Sequence, residues 1–223
     1  MSEARAKPIV IALDGPAASG KGTLAKRIAE KYGFAHLDTG KLYRAVAYLV
    51  LSEGGDPNDR GVAIEASARV SPELLTRPEL TSAEIGRASS IVAAIGEVRA
   101  ELLAYQRGFA RHPPGGKPGA VLDGRDIGSV ICPDAAVKLF VTARPEVRAR
   151  RRFIELRATG SRLSENDILA DIKERDARDS ARKDAPLVRA PGAHLLDTSD
   201  LSIEVAFAAA CAIIEDQLKS GVA

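Results

Sequence analysis

The chain has 223 residues, 45% hydrophobic and 28% charged, enough apolar material to build one large domain or one domain with insertions. Lys and Arg (32) nearly balance Asp and Glu (30), leaving +2, so no global field attracts nucleic acid, and only 4% aromatic residues are available to stack on bases. No apolar run approaches bilayer length, no secretory pattern precedes the first one, and two distant cysteines, Cys132 and Cys211, frame no disulfide scaffold. The expectation is a cytoplasmic protein that binds neither membrane nor nucleic acid and, as a prior only, is a monomer.

Residues 1–7 read as a short polar tail. The stretch 9–29, IVIALDGPAASGKGTLAKRIA, then reads as a buried strand, a glycine-rich turn and the first turns of a helix. Gly15, Pro16, Ala17, Ala18, Ser19, Gly20 and Lys21 fit the G-x-x-x-x-G-K core of a phosphate-binding loop. Glycines at both ends let the backbone turn successive N–H groups toward phosphate oxygens, and Lys21 adds a mobile positive charge. The helix that follows favours an anion at its N-terminus. Where a Ser or Thr usually follows the lysine to reach magnesium, this chain has Gly22 and then Thr23, and the GKGT ending is associated with nucleoside monophosphate kinases rather than switch GTPases.

Leu24, Ile28 and Tyr32 recur every four residues, the stripe of a helix lying on a sheet, which Gly33 ends. Residues 34–37 suit a second buried strand that closes in Asp38-Thr39-Gly40. Strand, helix and strand within about thirty residues form a βαβ unit, hence a parallel sheet with a right-handed crossover. Residues 42–51 read as a helix with Leu42, Val46 and Leu49 inward, stopped by Gly54-Gly55-Asp56-Pro57. Over 58–81 the periodicity is weak. Val62, Ile64 and Val70 hint at a helix, 71–78 is loop-like, and the stretch reads as a peripheral insertion.

Residues 82–109 read as one long helix with Ile85, Ile91, Val92, Ile95, Leu102 and Phe109 buried; Gly86 and Gly96 are its weak points, at about 1 kcal/mol each against alanine. The breaker at 112–119 is followed by two apolar strands, 120–122 and 137–141. Pro145 opens a helix running to Thr159 and stopped by Gly160. Ser164 caps another that runs to about Arg182, with acidic residues in its first turn. A last strand at 194–196 precedes a helix over 202–219 with Ile203, Phe207, Ala210, Ile214 and Leu218 on one face. Five short strands alternating with helices make an α/β three-layer sandwich around a five-stranded parallel sheet.

Ligands of such sheets bind beyond the carboxyl ends of the strands, which here supply Asp14-Gly15, Asp38-Thr39-Gly40, Asp123-Gly124-Arg125-Asp126 and Arg144. Each alone is ordinary turn chemistry; four together point to a site. Ile168, Ile172, Arg175, Asp179 and Arg182 share a helix face that begins apolar and becomes charged. That face either forms a solvated network worth about 0.2–0.5 kcal/mol per pair or lines a cleft for an anionic, hydroxyl-bearing ligand. The helix from Pro145 carries Arg148, Arg150, Arg151, Arg152 and Arg157, a solvated charge run or a set of bidentate donors for a triphosphate. Gly160 and Ser161 would let it swing as a lid. His36 reads as a satisfied core residue, His112 and His194 lie in or beside loops, and no zinc or covalent-catalysis pattern is present.

Taken together, LDGPAASGKGT at 13–23, LDTGKLYR at 37–44, ASSIVA at 88–93 with Val98-Arg99, LDGRDIGSVICPDAAVKLFVTA at 122–143 and ERDARDSARKDAPL at 174–187 resemble the bacterial cytidylate kinases, P-loop proteins of the nucleoside monophosphate kinase kind. GKGT is shared by many kinases; DTG-x-x-YR, DGRDIG and RD-x-x-D-x-x-R-x-x-APL together are far more specific. The resemblance implies one P-loop kinase domain over 1–223, with a nucleotide-binding insertion at about 54–100 and a short lid at about 148–163. It implies ATP at Gly15 to Thr23 and the acceptors CMP and dCMP. Thr39, Ser90, Arg99 and Asp126 would hold the cytosine nucleotide, the last three near the base. Arg44, Arg125 and Arg182 would hold its phosphate, and Arg175 with Asp179 the sugar hydroxyls. Arg148, Arg151 and Arg152 would belong to the lid and, with Lys21 and Arg125, to transfer. Mg²⁺ would lie near Thr23 and Asp123, the latter through water or else serving only as a turn residue.

Three departures stand out: Thr39 where serine is frequent, Lys41 where a small residue is usual, which would place an extra cation near the acceptor phosphate, and an insertion too short to contain the small antiparallel sheet of some relatives. The last leaves the ribose or deoxyribose preference open. Rival readings are a P-loop kinase acting on adenylate or a small metabolite, a non-catalytic nucleotide switch, and an RNA-binding module built on the arginine helix. Gly22 and the DGRD and RD-x-x-D-x-x-R segments speak against the switch. Low net charge and few aromatics speak against the RNA module.

Overall fold

In the computed structural model, which describes residues 7–158 and 160–220, the five apolar runs become the strands of one sheet: β1 (Ile9–Asp14), β2 (Ala35–Asp38), β3 (Gly119–Gly124), β4 (Val137–Thr142) and β5 (His194–Asp197). The order is β2-β3-β1-β4-β5 and every pairing is parallel. The α/β three-layer expectation holds. Alternating side chains explain it: Ile11 and Leu13 of β1 face one layer, with Leu24 and Ile28 of α1 (Lys21–Tyr32) and Ala210 and Ile214 of α8 (Ile203–Ser220). Ala12 faces the other with Leu37, Leu122, Ile127 and Ala110. All six residues of β3 are buried, as a central strand covered on both faces requires.

The segment expected to be an insertion is helical and has no hairpin. Between α2 (Thr39–Ser52) and α5 (Gly96–Arg111) lie α3 (Arg60–Ala68), two short 3₁₀ turns and α4 (Ala83–Val92). These share a second core made from Leu42, Val46, Val50, Ala63, Ile85, Val92 and Val98. The single helix expected over 82–109 is two helices. The chain turns at Ala93–Ile95, Ile95 is extended, and Gly96 opens α5. The break frees the carbonyl of Ala93 to accept from Arg99 Nη1 at 3.2 Å. Gly96 belongs there because a Cβ would lie 2.8 Å from Asp184 Oδ2.

Helices α6 (Pro145–Ala158) and α7 (Glu165–Ser180) pack through Ala149, Leu156, Ile168 and Ile172. Ser164 caps α7 as expected, and Asp167 returns the bond to make the cap reciprocal. Helix α7 stops at Ser180, so Arg182 lies just beyond it. Two other expectations are corrected: Ile203 is 44% exposed rather than inward on α8, and α2 begins three residues early, at Thr39. Residues 1–6 of the expected polar tail, and Thr159 at the expected end of α6, lie outside the described residues.

Asp14, at the end of β1, ties the sheet to the turn that follows β3. Its Oδ1 and Oδ2 accept from the backbone N–H of Ile127 and Gly128, both at 2.7 Å. Burial outweighs these bonds and pushes its carboxyl from 3.8 up to about 6. A carboxylate with a raised folded pKa contributes stability below its unfolded pKa and loses it as pH rises through the folded value. Asp14→Asn, which offers one acceptor for two N–H groups, should cost about 1–3 kcal/mol. Thermal melts at stepped pH should show the wild type losing about 2–3 kcal/mol relative to the variant between pH 4 and pH 6, enough to close or reverse the gap seen at pH 4; a constant gap would contradict the assignment.

Candidate active site

The loop between β1 and α1 takes its shape from backbone freedom and close contact. Gly15 has φ +151°, and a Cβ there would sit 1.9 Å from the carbonyl oxygen of Val141. Ala18 and Gly20 have φ of 57° and 87°, so Gly20 turns the chain into α1 through the left-handed region. Ser19 is fully buried, and its hydroxyl has no partner among the described residues. Lys21 Nζ donates to Pro16 O at 3.2 Å. Burial first, then the nearby Arg125, lower its ammonium to about 7, leaving a cation that gains from an anion beside it.

Two clefts meet at this loop. A cleft of about 310 Å³ is lined by Lys21, Arg44, Ser90, Arg125, Arg175 and Arg178. A larger one, about 500 Å³, runs from Gly20 to Leu24 past Arg151 to Thr198, Leu201 and Ile203. Lys21, Arg152 and Glu155 border both.

The cations of the first cleft are crowded. Burial and then Arg152 lower Arg44 to about 10; burial and then Arg125 lower Arg175 to about 9. Their anchors leave hydrogen-bonding capacity. Arg44 Nη1 donates to Leu80 O at 2.6 Å. Arg175 Nη1 reaches Gly86 O at 3.4 Å, while its Nε, 3.9 Å from Asp179 Oδ2, has no hydrogen-bond partner among the described residues. Behind them Asp179, with no exposed surface, accepts from Arg125 Nε at 2.9 Å and from Arg182 Nη2. Burial works to raise this carboxyl, but Arg125, Arg182 and Arg175 together hold it below the ordinary range. The charged face of α7 is therefore a buried network, not a solvated one.

Not every expected residue reaches a cleft. Thr39 is buried and donates to Asp123 O at 2.8 Å. Arg99 and Asp126 pair with each other and border a separate hollow of about 330 Å³ with Tyr43 and Gln106. Lys41 is exposed and lines neither cleft. Arg148 is turned away from both. Its Nε donates to Ala143 O at 2.8 Å, Nη1 to Ala17 O at 3.2 Å, and both terminal nitrogens hold Asp176 at 3.1 and 2.5 Å. Arg151 lies over the loop, bonded to Thr198 Oγ1 and O at 3.0 and 2.7 Å.

Asp38 and Asp123 are neighbours at the ends of β2 and β3. Burial, then Asp123, raises the Asp38 carboxyl. Asp123 Oδ2 is bonded to His36 Nε2 at 2.8 Å, so His36 touches the site rather than lying idle in the core. A Cβ on Gly22 would sit 3.7 Å from Asp123 Oδ1, an ordinary contact, so the start of α1 lies beside that carboxylate. Among the described residues no three His, Cys, Asp or Glu side chains converge on a metal position. A cation here would take one or two hard protein oxygens and complete its shell with phosphate and water, which suits magnesium.

Thr198, Leu201, Asp176 and Arg178 were not singled out in the sequence, and Ile203 was read only as part of the apolar face of α8; no sequence signal marked them for the clefts.

An anion-binding loop between two clefts, one of them ringed by cations, on a five-stranded parallel sheet is the arrangement of a nucleoside monophosphate kinase. The model of the cytidylate kinase family matches residues 11–216. Cytidylate kinases of Rhodospirillum rubrum and Nitrobacter winogradskyi are 55% and 54% identical to this chain, covering 92% and 96% of it and 97% and 99% of their own lengths. That of Xanthobacter autotrophicus is 57% identical over 93% of this chain and 97% of its own. A solved structure of an uncharacterized Eubacterium ventriosum protein shares the fold, with a TM-score of 0.54 at 14% identity over 94% of this chain and 99% of that one. The chain belongs to the cytidylate kinase family.

The Arg148–Asp176 pair ties α6, α7 and the phosphate loop together. Arg148 is 3% exposed, so Asp176→Ala would strand a buried guanidinium. Urea unfolding should show a loss of about 3 kcal/mol, against less than half of that for a truncation of the exposed pair Arg150–Glu165.

Proposed function

We propose that this enzyme transfers the γ-phosphoryl group of ATP in line to the phosphate of CMP or dCMP, giving ADP and CDP or dCDP. One observation carries the reading: the two clefts share Lys21 and Arg152, so a triphosphate in one and a phosphate acceptor in the other would meet between these two cations.

Gly15 to Thr23 take the triphosphate, and Leu201 and Ile203 wall the far end of the donor cleft, where an adenine needs apolar cover. Arg44 and Arg125, backed by Arg182, take the acceptor phosphate. Arg175 and Asp179 serve the sugar hydroxyls, and Ser90, with the Arg99–Asp126 pair, serves the base. Thr39 acts from beneath, through the carbonyl of Asp123. The helical segment 54–100 is the acceptor-binding insertion. Of the 148–163 lid, Arg151 and Arg152 face the donor phosphates, whereas Arg148 is its anchor. Thr23 and, through water, Asp123 would hold Mg²⁺, which would supply charge neutralisation to the phosphates. The described residues include no helix long and apolar enough to cross a membrane, and we read the protein as a cytoplasmic monomer.

The acceptor oxygen is already anionic, so no strong base is needed. Rate enhancement comes from fixing donor and acceptor in line and from preorganised cations that meet charge as it shifts. A panel of CMP, dCMP, UMP, AMP and shikimate, read by ADP release, should show turnover concentrated on the two cytidylates. A preference for AMP or shikimate would overturn the acceptor assignment. Lys21→Ala should lower kcat by about 10²-fold or more while leaving the calorimetric Kd for CMP nearly unchanged; undiminished turnover would refute the transfer role.

A further inference from the structure

Arg178 lines the acceptor cleft, yet neither phosphate binding nor sugar binding uses it. Its Nη1 donates to Ser90 Oγ at 2.9 Å, and its other terminal nitrogen is steadied one turn back by Glu174. Ser90 is 1% exposed. Its neighbour Ser89, on the same helix, donates its proton to Gly86 O at 2.9 Å, the usual resting place of a helical hydroxyl. Ser90 does not. It receives a hydrogen bond from a group that can only donate, and its own proton has no acceptor among the described residues. A hydroxyl has one proton to give. With a guanidinium on one side and the cleft on the other, that proton points to the cleft.

We infer that Arg178 determines base specificity: by donating to Ser90 it commits that hydroxyl to act as a donor toward the base of the acceptor nucleotide. This rests on the acceptor assignment made above. Ring nitrogen N3 is a bare acceptor in cytosine and carries a hydrogen in uracil. A Ser90 fixed as donor satisfies the first. Facing the second, the hydroxyl must turn its remaining lone pair to the ring hydrogen, which leaves its own buried proton without an acceptor, a cost that disfavours uracil. Donation from a cation also polarises the hydroxyl and strengthens the bond it makes. Arg178 would act through Ser90, without touching the reacting phosphates, so it is a positioning residue.

The test compares kcat/KM for CMP and UMP. Arg178→Met, which keeps the aliphatic length and removes the donors, should lower the CMP to UMP ratio about tenfold, mainly through KM for CMP. Arg178→Lys, which keeps one donor, should recover part of the ratio. Ser90→Ala should lower it similarly, and the double variant should fall no further than Ser90→Ala alone. Equal losses on both nucleotides, an unchanged ratio, or additive effects in the double variant would overturn the inference while leaving the kinase assignment intact. Wild-type protein that phosphorylates no cytidylate would overturn both.

Discussion

A carboxylate with no exposed surface, Asp179, sits among the guanidinium groups of Arg125, Arg175 and Arg182. Taking these charges out of water costs several kcal/mol per ion, and a buried pair recovers that only when its geometry is good and its remaining donors are met. Here they are not all met: Arg175 Nε and Arg182 Nε and Nη1 have no hydrogen-bond partner among the described residues. The arrangement is a poor choice for stability alone. It fits a site whose missing partners arrive with the ligand, and the single acid keeps the cations in place while it waits.

Helix α7 links this network to the loop that holds phosphate. Arg175 lines the acceptor cleft and Asp179 lies buried behind it, whereas Asp176, between them in sequence, holds Arg148 and through it the carbonyl of Ala17. One helix thus sets the distance between donor and acceptor, because its successive residues point to different neighbours. On the opposite side Asp14 fixes the turn that carries Arg125 and Asp126. Neither Asp14 nor Asp176 reaches the acceptor cleft; both decide where the residues that line it can be.

The sheet was legible because the strands are short apolar runs, four of the five ending in Asp or Gly, and the loop because φ and spacing constrain it so closely. The break between α4 and α5 was not. Ala93, Ala94 and Ile95 all have fair helix propensity, and what marks the turn is a contact the letters do not show, the carbonyl of Ala93 taken by Arg99. His36 looked like core because its neighbours in sequence are apolar, while its actual partner, Asp123, comes from the adjoining strand. Ile203 looked inward by period, yet it lies at the edge of the donor cleft.

The arginine run of α6 shows most clearly what periodicity leaves out. Arg148, Arg151 and Arg152 lie within about one helical turn, and as letters they are interchangeable. Their surroundings separate them. Arg148 is sealed against Asp176 and two carbonyls; Arg151 is bonded across the phosphate loop to Thr198; only Arg152 borders both clefts. A lid moving as one body would have to break the buried pair at Arg148, at a cost of several kcal/mol. Any lid of the kind proposed above is therefore anchored at Arg148, where the buried pair joins α6 to α7.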